Sequence, residues 1–261
     1  MSKILSGFLL AGLLSLSAQA DALRIEMGGG VWNNEVSGPI TYQGLATYNA
    51  EDLGYSDENR AYLWLNIKHP IPILPNLRLE YANVDFSGSS TQPFQYNGIE
   101  FNVDTKSDTG LAQYDAVLYY NILDNTMWTT FDLGIDIKYI DAKFDAVGTG
   151  TPIGGGTASP QSVSEGEKLI LPLGYARLRF DLPFNLGIES DIKYIKYKSS
   201  GVTDFRVKAD YLFTDLLPFD FGVEVGYRFE NIKIDQDDFS SFDVDADLDI
   251  KGIFAGAVVK F

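Results

Sequence analysis

Phe131-Asp-Leu-Gly-Ile-Asp-Ile-Lys-Tyr139 decides the fold, because apolar residues occupy every second position of this stretch. A period of two places all the apolar side chains on one face of a β-strand, whereas an amphipathic helix would repeat every 3.6 residues. The same alternation recurs in residues 112–121, 205–213 and 223–229. The sequence therefore predicts an all-β protein.

The composition indicates which kind of all-β protein this is. Hydrophobic residues make up 45% of the 261-residue chain, yet the mean hydropathy is only -0.05. A transmembrane β-barrel has such an average, because lipid-facing apolar residues alternate with lumen-facing polar residues. The net charge of -16 argues against a nucleic-acid partner, which is itself a polyanion. The absence of cysteine excludes disulfides and thiolate metal sites.

The first twenty residues have the features of a secretory signal peptide. Lys3 supplies the positive charge, residues 4–16 are apolar, and Ala18-Gln19-Ala20 fits a cleavage site that leaves Asp21 as the first residue. The alternative is a transmembrane anchor, which is less favoured because a span needs about 20 apolar residues. We therefore expect residues 1–20 to be removed and residues 21–261 to form the barrel.

Turn residues divide the rest of the chain into about ten strands, with eight as the alternative count. An even number places both termini on the periplasmic side, with short turns there and longer loops outside. Asn97-Gly98 is expected to form a hairpin tip within the second long loop. The expected strands lie near 22–33, 59–68, 76–87, 110–122, 127–146, 167–181, 186–198, 203–213, 220–235 and 242–261. The expected extracellular loops lie near 34–58, 88–109, 147–166, 199–203 and 236–241. The fold predicted is a transmembrane antiparallel up-and-down β-barrel.

The end of the chain resembles the signal by which outer-membrane barrels are recognised for assembly. Gly256, Val259 and the terminal Phe261 fit the spacing of that signal, whereas Phe254 stands where a polar residue is usual. Apolar residues occupy even positions before residue 251 and odd positions after it. A β-bulge at Lys251-Gly252 is expected to reconcile the two phases.

Several further stretches carry a resemblance to a known family. They are Gly28-Gly-Gly-Val-Trp32, residues 65–81, Tyr114-Asp115 with Leu118-Tyr-Tyr-Asn121, and Asp181-Leu-Pro-Phe184, together with the terminal Phe261. With these stretches the chain resembles a family of proteobacterial outer-membrane β-barrels that is distantly similar to the OmpW-like proteins. The resemblance implies a fold and a location, and it implies no activity.

Charged residues on the lumen-facing side of the late strands are the candidate site. Buried charges need partners, so a network of ion pairs that fills the lumen is favoured over a polar conduit. The predicted network comprises Arg177, Arg179, Glu189, Asp191, Arg206, Lys208, Asp210, Glu224 and Arg228.

The sequence offers no catalytic constellation. His69 is the single histidine and lies in a short turn, so we expect no enzyme, no cofactor and no catalytic or metal site. The expected partners are outer-membrane lipid, lipopolysaccharide and the barrel-assembly machinery, and acidic loops could hold divalent cations. Two functions stay open: a structural or interaction barrel with a plugged lumen, and a narrow transport barrel for small solutes or an apolar ligand.

Overall fold

The computed structural model describes residues 23–42, 46–71, 73–213, 219–238 and 244–261. The expected signal peptide, residues 1–20, lies outside these ranges. In the described part, no helix is long and apolar enough to cross a membrane. The strands are β1 (Arg24–Ser37), β2 (Pro39–Tyr42), β3 (Ala46–Asn49), β4 (Glu58–Lys68), β5 (Asn76–Ser89), β6 (Phe94–Tyr96), β7 (Ile99–Phe101), β8 (Lys106–Thr126), β9 (Thr129–Pro152), β10 (Ser159–Leu182), β11 (Leu186–Tyr197), β12 (Ser200–Phe213), β13 (Asp220–Ile234) and β14 (Val244–Lys260).

Ten of these strands close into an antiparallel barrel. Their order around the wall is β1-β4-β5-β8-β9-β10-β11-β12-β13-β14, and β14 pairs back to β1 from Glu26↔Lys260 to Ser37↔Asp249. The expectation of a ten-stranded barrel is confirmed. The expected strand positions agree well because turn residues and the period of two mark them locally.

The expected long loops contain further strands. We call the end of the barrel that carries the long connections its upper end. The β2–β3 hairpin pairs with the upper end of β14, and the β6–β7 hairpin pairs with the upper end of β9. The tip of the second hairpin is Asn97-Gly98, with φ angles of 48° and 72°, as expected for a tight turn. Strands β9 and β10 also extend far into the region expected to be a loop. The barrel wall therefore rises well beyond the lipid-facing belt.

The lumen has two zones, which β9 shows most clearly. Asp136 and Lys138 face inward and are fully buried, and the next inward residue, Ile140, begins an apolar layer. Outward residues change in the opposite sense, from the exposed Ile137 to Asp141. The upper barrel therefore has an apolar interior and a polar exterior, as soluble barrels do.

This inversion corrects the expectation of a β-bulge at Lys251-Gly252. Strand β14 pairs with β13 without any register shift from Asp220↔Lys260 to Ile234↔Ala246. Ile250 points inward and is 0% exposed, so the even face of β14 is its lumen face throughout. The apolar phase changes because the surroundings change along the strand, and the backbone stays regular.

A belt of large apolar side chains covers the outer wall below this level. Leu63, Ile135 and Val225 are each more than half exposed, and they alternate with buried lumen residues. Hydrocarbon is the environment that such a surface requires, since soluble proteins rarely expose contiguous apolar patches of this extent.

Candidate functional site

The lumen of the lower zone contains all nine charged residues that the sequence singled out. Inward positions are odd in β10 and β11 and even in β12 and β13, so each of these strands contributes alternate side chains. The nine buried residues are Arg177, Arg179, Glu189, Asp191, Arg206, Lys208, Asp210, Glu224 and Arg228.

Glu189 is the centre of the first group of ion pairs. Its carboxylate lies 3.5 Å from Arg78, 3.7 Å from Arg177, 3.4 Å from Arg179 and 3.7 Å from Lys208. Four cations thus surround one buried anion, and each of them also has a second acidic partner.

Two arginines of the lumen, Arg179 and Arg206, each bind one carboxylate through two guanidinium nitrogens. Arg179 donates to Asp210 at 2.6 and 3.0 Å, and Arg206 donates to Asp191 at 2.9 and 3.2 Å. Such paired charge-assisted hydrogen bonds fix orientation as well as distance. Gly187 makes the first pair possible, because a Cβ there would lie 2.2 Å from the Arg179 guanidinium.

Glu80 joins opposite walls of the barrel. It lies on β5 and accepts hydrogen bonds from Arg206 on β12 at 2.8 Å and from Lys193 on β11 at 2.7 Å. Strands β5 and β12 are five places apart in the ring of ten, so this contact crosses the full width of the lumen. The sequence predicted Glu80 as a lumen-facing charge, but it predicted ion pairs only between adjacent late strands, because a contact across the lumen depends on barrel closure.

A second group forms around Lys138 on β9. Its ammonium lies 3.2 Å from Asp115, 3.2 Å from Asp204 and 3.0 Å from Glu230. Arg228 also donates to Asp204, at 2.9 and 2.7 Å. Asp204 and Glu230 were not predicted from the sequence, although they share the inward parity of their neighbours.

Another crossing of the lumen links β8 with β13. Gln113 on β8 donates to Glu230 on β13 at 2.6 Å and accepts a hydrogen bond from Arg228 at 3.0 Å. These two strands are also five places apart in the ring. A second wall-to-wall contact therefore lies just below the apolar layer.

Aromatic side chains complete the filling of the lumen beside β1 and β14. Tyr62 and Trp64 donate to Glu224 at 2.8 and 2.9 Å, and Lys208 binds the same carboxylate at 2.8 Å. The Lys208 ammonium also lies 4.2 Å from the centre of the Trp64 ring, a cation–π contact. The indole fits because position 28 is glycine, where a Cβ would lie 2.5 Å from it.

A polar cavity of about 190 Å³ remains at the end of the lumen that carries the short turns. The residues that line this cavity include Arg24, Lys68, Asp124, Arg177 and Lys260. Ionic side chains separate it from the upper zone, since Arg177 pairs with Asp132 at 2.8 Å at its inner end.

His69 is engaged by the backbone of its own turn. Its Nδ1 accepts a hydrogen bond from the Ile71 N–H at 3.2 Å, which leaves the proton on Nε2 to donate to the Pro75 carbonyl at 3.0 Å. The backbone N–H of His69 donates to Asn76. The ring therefore holds the β4–β5 turn together.

The three residues of the expected assembly signal lie at the seam where the barrel closes. The Phe261 N–H donates to the Ile25 carbonyl at 2.9 Å, and its ring lies 5.5 Å from that of Phe219. Val259 faces outward and Gly256 faces inward beneath Tyr62. Phe254 departs from the signal because it fills the apolar lumen layer, where it is 3% exposed.

Acidic residues also cluster on the outer wall of the barrel. Asp245, Asp247 and Asp249 face outward on the upper part of β14, and Asp247 pairs with Lys233 at 2.9 Å. Among the described residues, no group of three or more acidic or imidazole side chains is arranged to hold a metal ion.

Comparison with known proteins finds the fold and no sequence relative. No family model matches the chain. No curated protein matches it either. The outer membrane protease OmpT of Escherichia coli has a similar structure, with a TM-score of 0.51 and 10% identity over 92% of this chain and 96% of OmpT.

Two further barrels match at lower TM-scores. They are the attachment invasion locus protein Ail of Yersinia pestis (TM-score 0.39, 12% identity, 92% of this chain and 99% of Ail) and the toluene transporter TodX of Pseudomonas putida (TM-score 0.38, 8% identity, 92% and 89%). At 10% identity, the likeness to OmpT concerns the fold alone.

Proposed function

We propose that this chain is an integral outer-membrane β-barrel that acts at the cell surface, with a lumen closed to solutes. The belt of exposed apolar side chains supports the membrane position, because a closed barrel satisfies its backbone hydrogen bonds within hydrocarbon. Export behind the cleaved segment 1–20 belongs to the same proposal.

The ion pair and the hydrogen bond that cross the lumen are the observation that carries the closed state. Glu80 with Arg206, and Gln113 with Glu230, connect strands on opposite walls, and all four side chains are less than a tenth exposed. The apolar layer above them adds a barrier to ions, since a charge cannot enter it without a partner. A barrel filled in this way acts through its upper hairpins and outer surface.

Planar-bilayer recording tests this proposal directly. Purified wild-type protein should insert and carry no stable current at moderate voltage. An open-channel current that persists in the wild type would refute the closed lumen and favour the transport barrel.

The transport barrel stays the second candidate because of the polar cavity at the end of the lumen that carries the short turns. About 190 Å³ is enough for several water molecules, and the apolar zone above could face an apolar ligand. An OmpW-like relationship would favour this function. Transport would require the cross-lumen pairs to separate, so binding of an apolar solute should then shift the conductance.

A non-catalytic role is part of the proposal. Both ring nitrogens of His69 are engaged within its turn, so the histidine is unsuited to activate a nucleophile. The proposed partners are lipid, lipopolysaccharide and the barrel-assembly machinery, the last recognising Gly256, Val259 and Phe261. Divalent cations that bridge the acidic upper wall to lipid phosphates are a further proposed partner.

A further inference from the structure

The outer wall of the barrel carries a groove of about 910 Å³ within the lipid-facing belt. It crosses six neighbouring strands, β14, β1, β4, β5, β8 and β9. Its outward side chains form two rows that follow the strand register, and Tyr81↔Tyr114↔Tyr139 belong to the upper row. A barrel is normally convex outside, so a concave stretch of this length needs a cause and an occupant.

Small residues at outward positions make the wall concave. Gly29 and Ala257 are register partners on β1 and β14, and Ala116 lies on β8. Larger side chains lie beside them. The Leu63 side chain covers Gly29, since a Cβ at position 29 would lie 2.4 Å from a Leu63 methyl group. Leu63 is nevertheless 58% exposed, so the groove is open to the surroundings.

The chemistry of the groove selects an apolar chain as its occupant. Its side-chain lining is almost wholly aliphatic and aromatic, and it offers no row of hydrogen-bonding groups to a polypeptide backbone. An unsatisfied backbone group within hydrocarbon costs several kcal/mol. An acyl chain has no such groups and gains contact along its whole length.

The upper row gives the groove a polar side. The rings of Tyr81 and Tyr114 lie 5.1 Å apart, and those of Tyr114 and Tyr139 lie 5.9 Å apart. Tyrosine is typical of the membrane interface, where the ring contacts acyl chains and the hydroxyl reaches the headgroups. The three phenols therefore mark the part of the upper row beside which a polar headgroup would lie.

The dimensions also fit a lipid. Six strands about 4.8 Å apart give a groove about 24 Å long. Strands of such barrels tilt by about 40°, so the groove would rise by about 15 Å along the membrane normal. That rise is about half of the roughly 30 Å hydrocarbon core, which is the depth of one leaflet.

We propose that this groove is a seat for the acyl chains of one lipid of the outer leaflet, with its headgroup beside Tyr81, Tyr114 and Tyr139. The proposal rests on the membrane position proposed above. It adds a defined lipid site to a belt that otherwise contacts lipid without preference.

Native mass spectrometry of refolded protein tests the site. Lipid-free protein in detergent is titrated with phosphatidylethanolamine, and the wild type should retain one lipid. The double variant Ala116→Phe/Ala257→Phe fills the groove and should weaken this retention by at least about tenfold. The matched control Ala176→Phe/Ala209→Phe places the same rings on the belt of β10 and β12 and should retain the lipid.

Each outcome decides a separate point. Equal retention by all three proteins would overturn the lipid seat, as would a wild-type dimer that only the groove variant abolishes. The heat-dependent shift in gel mobility verifies folding, and Ala116→Val/Ala257→Val replaces the phenylalanine pair if that pair does not fold. A wild type that stays monodisperse without detergent would instead refute the membrane position itself.

Discussion

Replacing Arg228 by alanine should destabilise the barrel strongly, because this side chain holds three features of the lumen together. Its guanidinium donates to Asp204 at 2.9 and 2.7 Å and to Gln113 at 3.0 Å. It also lies 4.7 Å from the centre of the Trp32 ring. Only 6% of the residue is exposed, so water does not replace these contacts in the folded barrel.

The size of the effect follows from what remains. Breaking a buried ion pair by removing one partner costs about 3–5 kcal/mol, since the other charge stays buried. Asp204 keeps Lys138 at 3.2 Å, which favours the lower end of that range. We therefore expect a loss of about 3 kcal/mol in the free energy of unfolding, taken from the same range.

Urea unfolding in lipid vesicles, followed by tryptophan fluorescence, measures this loss. Lys233→Ala on the same strand is the matched control: Lys233 pairs with Asp247 at 2.9 Å but is half exposed, so its removal should leave the unfolding midpoint unchanged. The double variant Arg228→Ala/Asp204→Ala should lose less than the sum of the single variants. A loss below about 1 kcal/mol for Arg228→Ala would show that water solvates the lumen and would refute the closed network.

Three further outcomes are expected from other parts of the chain. Deletion of Phe261 should lower the amount of protein in the outer-membrane fraction, because this residue completes the seam; normal insertion would contradict its role in assembly. Mass spectrometry of that fraction should find Asp21 as the first residue, and an intact initiator methionine would disprove cleavage. Partial burial raises the pKa of Asp238. Hydrogen bonds from the Ser200 hydroxyl and from the N–H groups of Ser199 and Ser200 have a larger, opposite effect, so the pKa of this carboxyl lies below its usual value. This contact is therefore stable above the usual carboxyl pKa of about 3.9 and is lost as the pH falls through the lowered value. Hydrogen exchange at the Ser200 N–H, corrected for its intrinsic rate, should accelerate as the pH falls through this lowered pKa. The variant Asp238→Asn should remove that pH dependence.

The ten-stranded barrel could be predicted because its signals are local. Alternation along β9 and β10, with prolines or turn residues between strands, marks each strand without reference to any other. The Asn97-Gly98 turn also marked the β6–β7 hairpin, but the β2–β3 hairpin could not be placed in the same way. Strands β2 and β3 have only four residues each, which is too short for a period of two to be distinguished from a loop.

The candidate site was predictable in its parity and unpredictable in its pairing. Alternation identifies Arg206 and Lys208 as inward, and the same parity would have added Asp204 and, on β13, Glu230. Which acid meets which base depends on the curvature of the closed wall. The contact of Glu80 with Arg206 joins residues 126 positions apart in the chain and lies beyond any local pattern.

The level at which the lumen changes from ionic to apolar is common to neighbouring strands. One row of register partners marks this level: Ala82 on β5, Gln113 on β8, Ile140 on β9 and Leu169 on β10. The inward residues above this row are mainly apolar.

Outward residues change from apolar to polar near the same row, as Asp141 and Lys168 show directly above it. A boundary shared by partners that are distant in sequence reflects a common external interface, which is what the surface of a membrane provides. The ionic network therefore lies at the depth of the hydrocarbon, and the apolar layer lies above it on the side facing water. An ion arriving from outside would meet the apolar layer first, so the two layers close the barrel by different physical means.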